Sequence, residues 1–208
     1  MLERNGIELH NFFLSSSTPY GLTYGQWTVM WWNWFLSTPK QVNPVLDETG
    51  RFSSVNQPDR HVWFLAGKVA DENKALPNRY CKIPYGRSIL FPIINCEANA
   101  LEYPQLTTEH DIIDHVDRDE NTILIKECFL DGSRIPAQRV KSDPPMFEVK
   151  INKNNPCYVR QYGITRASGD GFWVFLKPLP RGSHFISFRG SCEMGKLNSG
   201  ANYRLEVS

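Results

Sequence analysis

Ten residues at positions 26–35, QWTVMWWNWF, hold four tryptophans, and no other segment restricts the fold of this chain so strongly. Indoles at that density belong to an exposed binding platform, a membrane-seeking segment or a core element. Thr23 ahead of Gln26 fits a capping box, in which hydroxyl and side-chain amide satisfy first-turn backbone groups. Trp27, Trp31, Trp34 and Phe35 then fall at i, i+4, i+7 and i+8, one face of a helix, and Met30 joins them. Val29, Trp32 and Leu36 spread apolar surface around the rest, leaving Thr28 and Asn33 as the polar remnant, and Pro39 ends the helix. At about a dozen residues the segment is too short to cross a bilayer, which takes roughly 20. A helix apolar on most sides is buried. The spacing therefore predicts a core helix, whose rings can also wall a ligand pocket. Burying four indoles contributes on the order of 10 kcal/mol before entropy is counted.

Something must cover such a helix, and the remaining sequence supplies strands. Short apolar runs lie between Gly and Pro punctuation at 61–67, 87–95, 121–130, 134–140, 146–151, 157–163, 171–179, 183–190 and 202–207. Phe147, Val149 and Ile151 alternate with Glu148 and Lys150. Tyr203, Leu205 and Val207 alternate with Arg204 and Glu206, the period-two mark of a half-buried strand. Asp131–Gly132 between two runs signals a hairpin. GFWVFLKPL, apolar on both faces, predicts a central strand or one lying beneath the helix. KIPYGRSILF and PLPRGSHFISF share a Pro-x-Gly corner leading into a strand. TTEHDIIDHVDRD (107–119) predicts a second, acidic helix capped by Thr108, with Ile112, Ile113 and Val116 on its inner side. The pattern implies one domain over residues 1–208. It is a mainly β, antiparallel β-sandwich, immunoglobulin-like or jelly roll, with residues 1–50 as a helical and extended element packed on it.

Composition excludes several classes of function. Formal net charge is +1, so no global field draws the chain to nucleic acid or anionic lipid. Residues 1–133 carry 11 basic against 17 acidic side chains, a balance of −6, and residues 134–208 carry 12 against 5, a balance of +7. No Arg/Lys cluster accompanies that asymmetry, which reads as two faces of one fold. No stretch approaches the roughly 18 apolar residues of a membrane span. The first residues show no secretory signal, so a cytoplasmic location is expected. Five cysteines, Cys81, Cys96, Cys128, Cys157 and Cys192, include no CxxC pair and no zinc-ribbon spacing. They read as free thiols, with a Cys81–Cys96 bridge sterically open if those segments pair. No cofactor is implied. The partners expected are a small-molecule ligand and a second copy of the chain, with neither nucleic acid nor membrane.

No nucleophile elbow, zincin helix, Walker loop or dinucleotide fingerprint is present. Asp111 and His115, four apart on the acidic helix, have the spacing of two metal ligands, but no third ligand stands at motif spacing and a solvated helix face explains them. His61 and His184 stand at strand starts, and a plain turn accounts for SGDGFW (168–173). The least easily dismissed group is Arg79, Arg87, Asn95 and Glu97 around the strand SILFPII. With Tyr85 and Trp32 they make a candidate ligand site, apolar walls carrying a few orienting polar groups. The alternative is a structural Arg–Glu pair.

GFWVFLKPLPRGSHFISFRG through NYRLEV resembles the closing strands of immunoglobulin-like sandwiches, in which a Leu-x-x-Gly-x-His-x-Ile-x-Phe segment precedes a terminal Tyr-x-Leu-x-Val strand. WWNWF, NPVLDETG, HVWFLAG and RYCKIPYGRSILFPIIN together resemble an uncharacterised group of microbial hypothetical proteins. That resemblance implies a fold and no activity. Three functions are therefore expected, in order: a non-catalytic binding domain for a small polar or carbohydrate-like ligand, a hydrolase with His and carboxylate groups at the sheet rim, or a structural protein that oligomerises through its aromatic helix.

Overall fold

The computed structural model describes residues 11–71, 75–157, 160–192 and 197–208. Strands account for 41% of the described residues and helices for 17%, so the molecule is mainly β. Its helices are α1 (Tyr24–Ser37) and α2 (Glu109–Glu120). Its strands are β1 (Val62–Phe64), β2 (Lys68–Asp71), β3 (Asn78–Ile83), β4 (Ser88–Asn99), β5 (Ile123–Leu130), β6 (Ser133–Arg134), β7 (Gln138–Arg139), β8 (Phe147–Ile151), β9 (Gly163–Leu176), β10 (Gly182–Cys192) and β11 (Leu197–Val207).

Two sheets stack as a sandwich. The first runs β1-β4-β9-β7, with β8 also on β9, and the second runs β2-β11-β10-β5-β6, with β3 also on β11. Most pairs are antiparallel, as alternation predicts, but β1 lies parallel to β4 and β3 parallel to β11. Neither of these short strands follows its partner through a hairpin, so the tight-turn signals that announce antiparallel pairs are absent there. Phe91, Ile93, Val174, Ile186, Phe188, Tyr203 and Leu205 fill the space between the sheets. The opposite face of the first sheet carries α1, which buries Trp27, Trp31, Trp32, Trp34 and Phe35 against Phe64, Leu90, Phe147, Val149, Trp173 and Phe175. The order of layers is thus helix, sheet, sheet.

The opening segment is the predicted core helix. Thr23 Oγ1 accepts from Gln26 N and Gln26 Oε1 accepts from Thr23 N, closing the capping box. Three indole N–H groups find backbone carbonyls: Trp27 that of Pro19, Trp31 that of Leu65 and Trp34 that of Val55. Thr28 is not a polar remnant facing water. It is buried, and its hydroxyl donates to Gly25 O within the helix. No helix among the described residues is long and apolar enough to cross a membrane.

Several local readings are met and others corrected. Asp131 and Gly132 both take positive φ, 49° and 81°, and join β5 to β6 as a primed hairpin turn. Gly86 and Gly182, the glycines of the two Pro-x-Gly corners, also take positive φ and lead into β4 and β10, one strand in each sheet. SGDGFW is not a turn. It lies inside β9, and its glycines serve close approach instead. A Cβ on Gly169 would stand 2.7 Å from Trp32 Nε1, and one on Gly171 would stand 2.6 Å from Asn95 Cβ. The run at 157–163 forms no strand where it is described, β9 beginning only at Gly163, and Tyr158 and Val159 lie outside the described residues.

β4 contains a bulge between Pro92 and Ile94. Proline cannot donate to a ladder, so a bulge is where a central strand tolerates it. Before it, Leu90 faces α1 while Ile89 and Phe91 face the second sheet. Beyond it the parity changes. Asn95 and Glu97 pair with Gly171 and Gly169 on the α1 face, and Ile94, Cys96 and Ala98 take the face shared with the second sheet and α2.

Candidate functional site

Where the two sheets diverge, the C-terminal end of α2 is wedged between them. Ile112 and Val116 seat the helix on Ala98 and Met146, and its last residue, Glu120, is only 2% exposed. A cavity of about 200 Å3 opens beside it. The first sheet supplies Ile94–Cys96 to its wall, α2 and the turn after it supply Asp119, Glu120 and Thr122, and the second sheet supplies Val69, Ile123, Cys192, Asn198 and Ser199.

Glu120 is the unusual group. Its Oε2 lies 3.3 Å from Cys96 Sγ, and among the described residues its Oε1 has no hydrogen-bond partner. Burial pushes its pKa up to about 8, and the nearby Asp170 carboxylate adds to the rise, while Cys96, Arg139 and Lys126 oppose it. As a neutral acid it has at that oxygen neither an acceptor for its hydroxyl nor a donor to its carbonyl. As a carboxylate it has an oxygen without a donor. Either form is missing a partner, at a typical cost of 1–3 kcal/mol or roughly that. The cations nearby are committed elsewhere. Arg139 clamps Asp170 through Nε and Nη2 (2.9 and 2.8 Å to Oδ2) and donates from Nη1 to Asn121 Oδ1 at 2.7 Å. The Lys126 ammonium sits 4.2 Å from the centre of the Phe172 ring.

The residues singled out from sequence divide into two groups. Trp32, Asn95 and Glu97 come together on the α1 face of β4, back to back with the Cys96 side of the cavity. Trp32 Nε1 and Asn95 Nδ2 are buried there without partners. Burial raises Glu97 to about 8, against the lowering effect of its hydrogen bond from Asn99. Asn95 alone of the six belongs to the cavity wall, as part of the β4 segment. Arg79, Tyr85 and Arg87 lie elsewhere. Arg79 is enclosed, donating to Asp47 O, Ala66 O, Val45 O and Tyr203 Oη. It is a structural staple, without the Glu97 partner that the sequence suggested. Arg87 stacks over Trp63 (4.8 Å) and donates to the Asp59 and Val62 carbonyls. Tyr85 is exposed beneath the Arg181 guanidinium.

Asp111 and His115 do not converge. Asp111 Oδ2 accepts from Thr108 N as the return half of a capping box, whereas His115 pairs with Asp119 and packs on Tyr103. Among the described residues no three His, Cys, Asp or Glu side chains are placed to hold a metal ion. Cys81 lies on β3 and Cys96 on β4, in different sheets, so no disulfide joins them. Burial raises the Cys81 thiol to about 11 and the Cys128 thiol to about 12.

His184 sits at the rim of the second sheet with both ring nitrogens engaged, Nδ1 with Asp131 Oδ2 at 2.7 Å and Nε2 with Pro180 O at 3.0 Å. Burial alone would lower its pKa. The bonds to Asp131 and Pro180 and the charges of Asp131 and Glu206 outweigh it, and the net shift is upward. Stability from this group is therefore fully present below the unfolded histidine's pKa, about 6.5. It is lost as pH rises through the higher folded value. Asp131→Asn is expected to bring the His184 pKa down, measured by NMR titration of the ring protons, and to remove that part of the pH dependence of unfolding. An unchanged pKa would show that Asp131 does not set it.

Comparison of the chain with protein-family models, with curated proteins and with solved structures finds no match. The geometry therefore carries the functional reading alone.

Proposed function

We propose that the chain is a non-catalytic binding domain that holds a small polar ligand in the cavity between the sheets. The observation that carries this reading is the unpartnered oxygen of Glu120, buried in the wall of a partly open cavity large enough for a ligand. An engineered apolar cavity of about 150 Å3 takes benzene, so about 200 Å3 suits a ligand of five to eight heavy atoms. Apolar walls from Val69, Ile94 and Ile123 with a few polar groups are the ordinary make-up of such a site. None of the described lining residues is aromatic, so they give a sugar ring no face to stack on, and a compact polar molecule is the better occupant.

Against a hydrolase stand the engagement of both His184 nitrogens and the burial of the Cys81, Cys96 and Cys128 thiols, which favours the unreactive protonated form. His61 stacks on Tyr20 and its Nε2 accepts from Arg60 Nε. Against an interface formed by the aromatic helix stands the burial of its four tryptophans within the chain.

Val69 borders the cavity yet is 57% exposed, so Val69→Trp is expected to fold and to cover the opening. In a screen of small polar fragments by NMR, the unmodified protein should show shifts clustered at Cys96, Glu120, Ile123 and Ser199. The variant should lose them. Shifts that scatter over the surface, or that survive in the variant, would reject the cavity as the site.

A further inference from the structure

We propose that the cavity takes a small organic ammonium ion, with the carboxyl of Glu120 as its counter-ion. This rests on the reading of the cavity as a binding site and names the class of its ligand.

The wall offers acceptors and almost no free donors. Glu120 Oε1 lacks a partner, and the Asp119 carboxylate and the Thr122 and Ser199 hydroxyls stand in the same lining. Two amides are the exceptions: Asn198, whose Oδ1 already accepts from Arg189 Nη2 at 3.3 Å, and Asn95, whose Nδ2 lacks a partner but lies toward the α1 face. An ammonium group is donor-only, with three N–H bonds to place, and matches that set. An anion would meet the Asp119 carboxylate and would oppose ionisation of Glu120, and among the described residues the nearby cations are engaged, Arg139 by Asp170 and Lys126 over Phe172. A neutral alcohol can satisfy Oε1 but gains nothing from charge. Val69, Ile94 and Ile123 leave room for a short hydrocarbon body on the ammonium.

The charge state of Glu120 gives the proposal a signature. The groups facing it are the Cys96 thiol on β4, Asp170 on β9, Arg139 on β7, Lys126 on β5 and its neighbour Asp119. The Cys96 thiol is raised far beyond the neutral range by burial and by the Glu120 charge, so it stays protonated. With its own pKa raised to about 8, Glu120 is mostly neutral in the empty cavity at pH 7. An ammonium ion entering at that pH converts the acid to a carboxylate, and the displaced proton goes to the buffer. Apparent affinity then rises about tenfold per pH unit up to pH 8, because binding and proton loss are linked. Affinity levels off until the amine itself deprotonates, near the lysine value of about 10.4.

The test is calorimetric titration of the full chain at pH 7.0 with n-butylammonium, butan-1-ol and butanoate, in phosphate and in Tris, whose protonation enthalpies differ. The expected result is butylammonium binding at least tenfold tighter than butan-1-ol, undetectable butanoate, and release of nearly one proton. Glu120→Gln should lower butylammonium affinity at least tenfold and abolish the proton release. The wild-type buffer comparison decides the matter even if that variant folds poorly. Butan-1-ol binding as tightly as butylammonium, or butylammonium binding without proton release, overturns the ammonium assignment and leaves the cavity a binding site. Absence of binding by butylammonium together with no cavity-centred shifts from any fragment in the NMR screen overturns both readings.

Discussion

Arg79→Leu is expected to lower the unfolding free energy by roughly 4 kcal/mol or more, the range seen when a buried, hydrogen-bonded charge site loses one partner. The guanidinium is 2% exposed. It joins three backbone carbonyls from the segment after α1 and the β1–β2 link, those of Val45, Asp47 and Ala66, to Tyr203 on β11. Tyr203 Oη also donates to Ala66 O, and the Arg79 guanidinium lies 5.5 Å from the tyrosine ring centre. Leucine fills part of the volume but leaves those acceptors without donors in a region that water does not reach. The measurement is urea denaturation followed by far-UV circular dichroism, with the m-value checked for constancy. Arg79→Lys separates charge from shape. An ammonium cannot span carbonyls on opposite sides of a planar fork, so most of the loss should persist. A lysine variant as stable as the parent would show that charge alone matters there.

The second large effect is expected at Trp31. Its ring meets Trp32, Trp34 and Trp173 edge-on, with centroids 5.2, 5.9 and 5.5 Å away, and its Nε1 donates to Leu65 O at 2.9 Å. Trp31→Ala removes the hub of that aromatic group and leaves a cavity under the helix, costing about 3–5 kcal/mol. The orphaned Leu65 carbonyl adds about 1 kcal/mol or more. Trp31→Phe keeps most of the contact area and loses the carbonyl partner, so its cost should be well under half. Circular dichroism is again the appropriate probe, because the substitution itself changes tryptophan emission. Near-equal losses for the two variants would mean that the hydrogen bond, not the packing, dominates.

What was legible in the sequence depended on how local each signal is. α1 was readable because its cap, its periodicity and its proline stop lie within seventeen residues, Thr23 to Pro39. The period-two runs of β8 and β11 were readable for the same reason. Asn95 and Glu97 stand out in the sequence as polar residues framing one strand, and the sheet register brings them to the face that α1 covers with Trp32. Arg79 was picked out on the same grounds, but which carbonyls would surround it depended on loops that carry no periodicity. The cavity was not legible, because Cys96, Glu120 and Ser199 meet only through sheet stacking. One signal was available. An acid in the last turn of a helix opposes the macrodipole, and a residue that breaks a local rule is a reason to look for a function. Glu120 is such a residue.

The bulge at Pro92–Ile94 has a consequence for how this chain can vary. A strand is read in twos, so β4 carries a reading frame, and the extra residue acts as a frameshift partway along it. Upstream and downstream halves thereby deliver opposite parities to the same compartment. Loss of that one residue would put Asn95 and Glu97 among the groups around Glu120 and turn Cys96 toward the indoles. The length of this segment is thus under tighter constraint than the identity of most side chains along it, and a single-codon deletion there should be far more damaging than a conservative substitution.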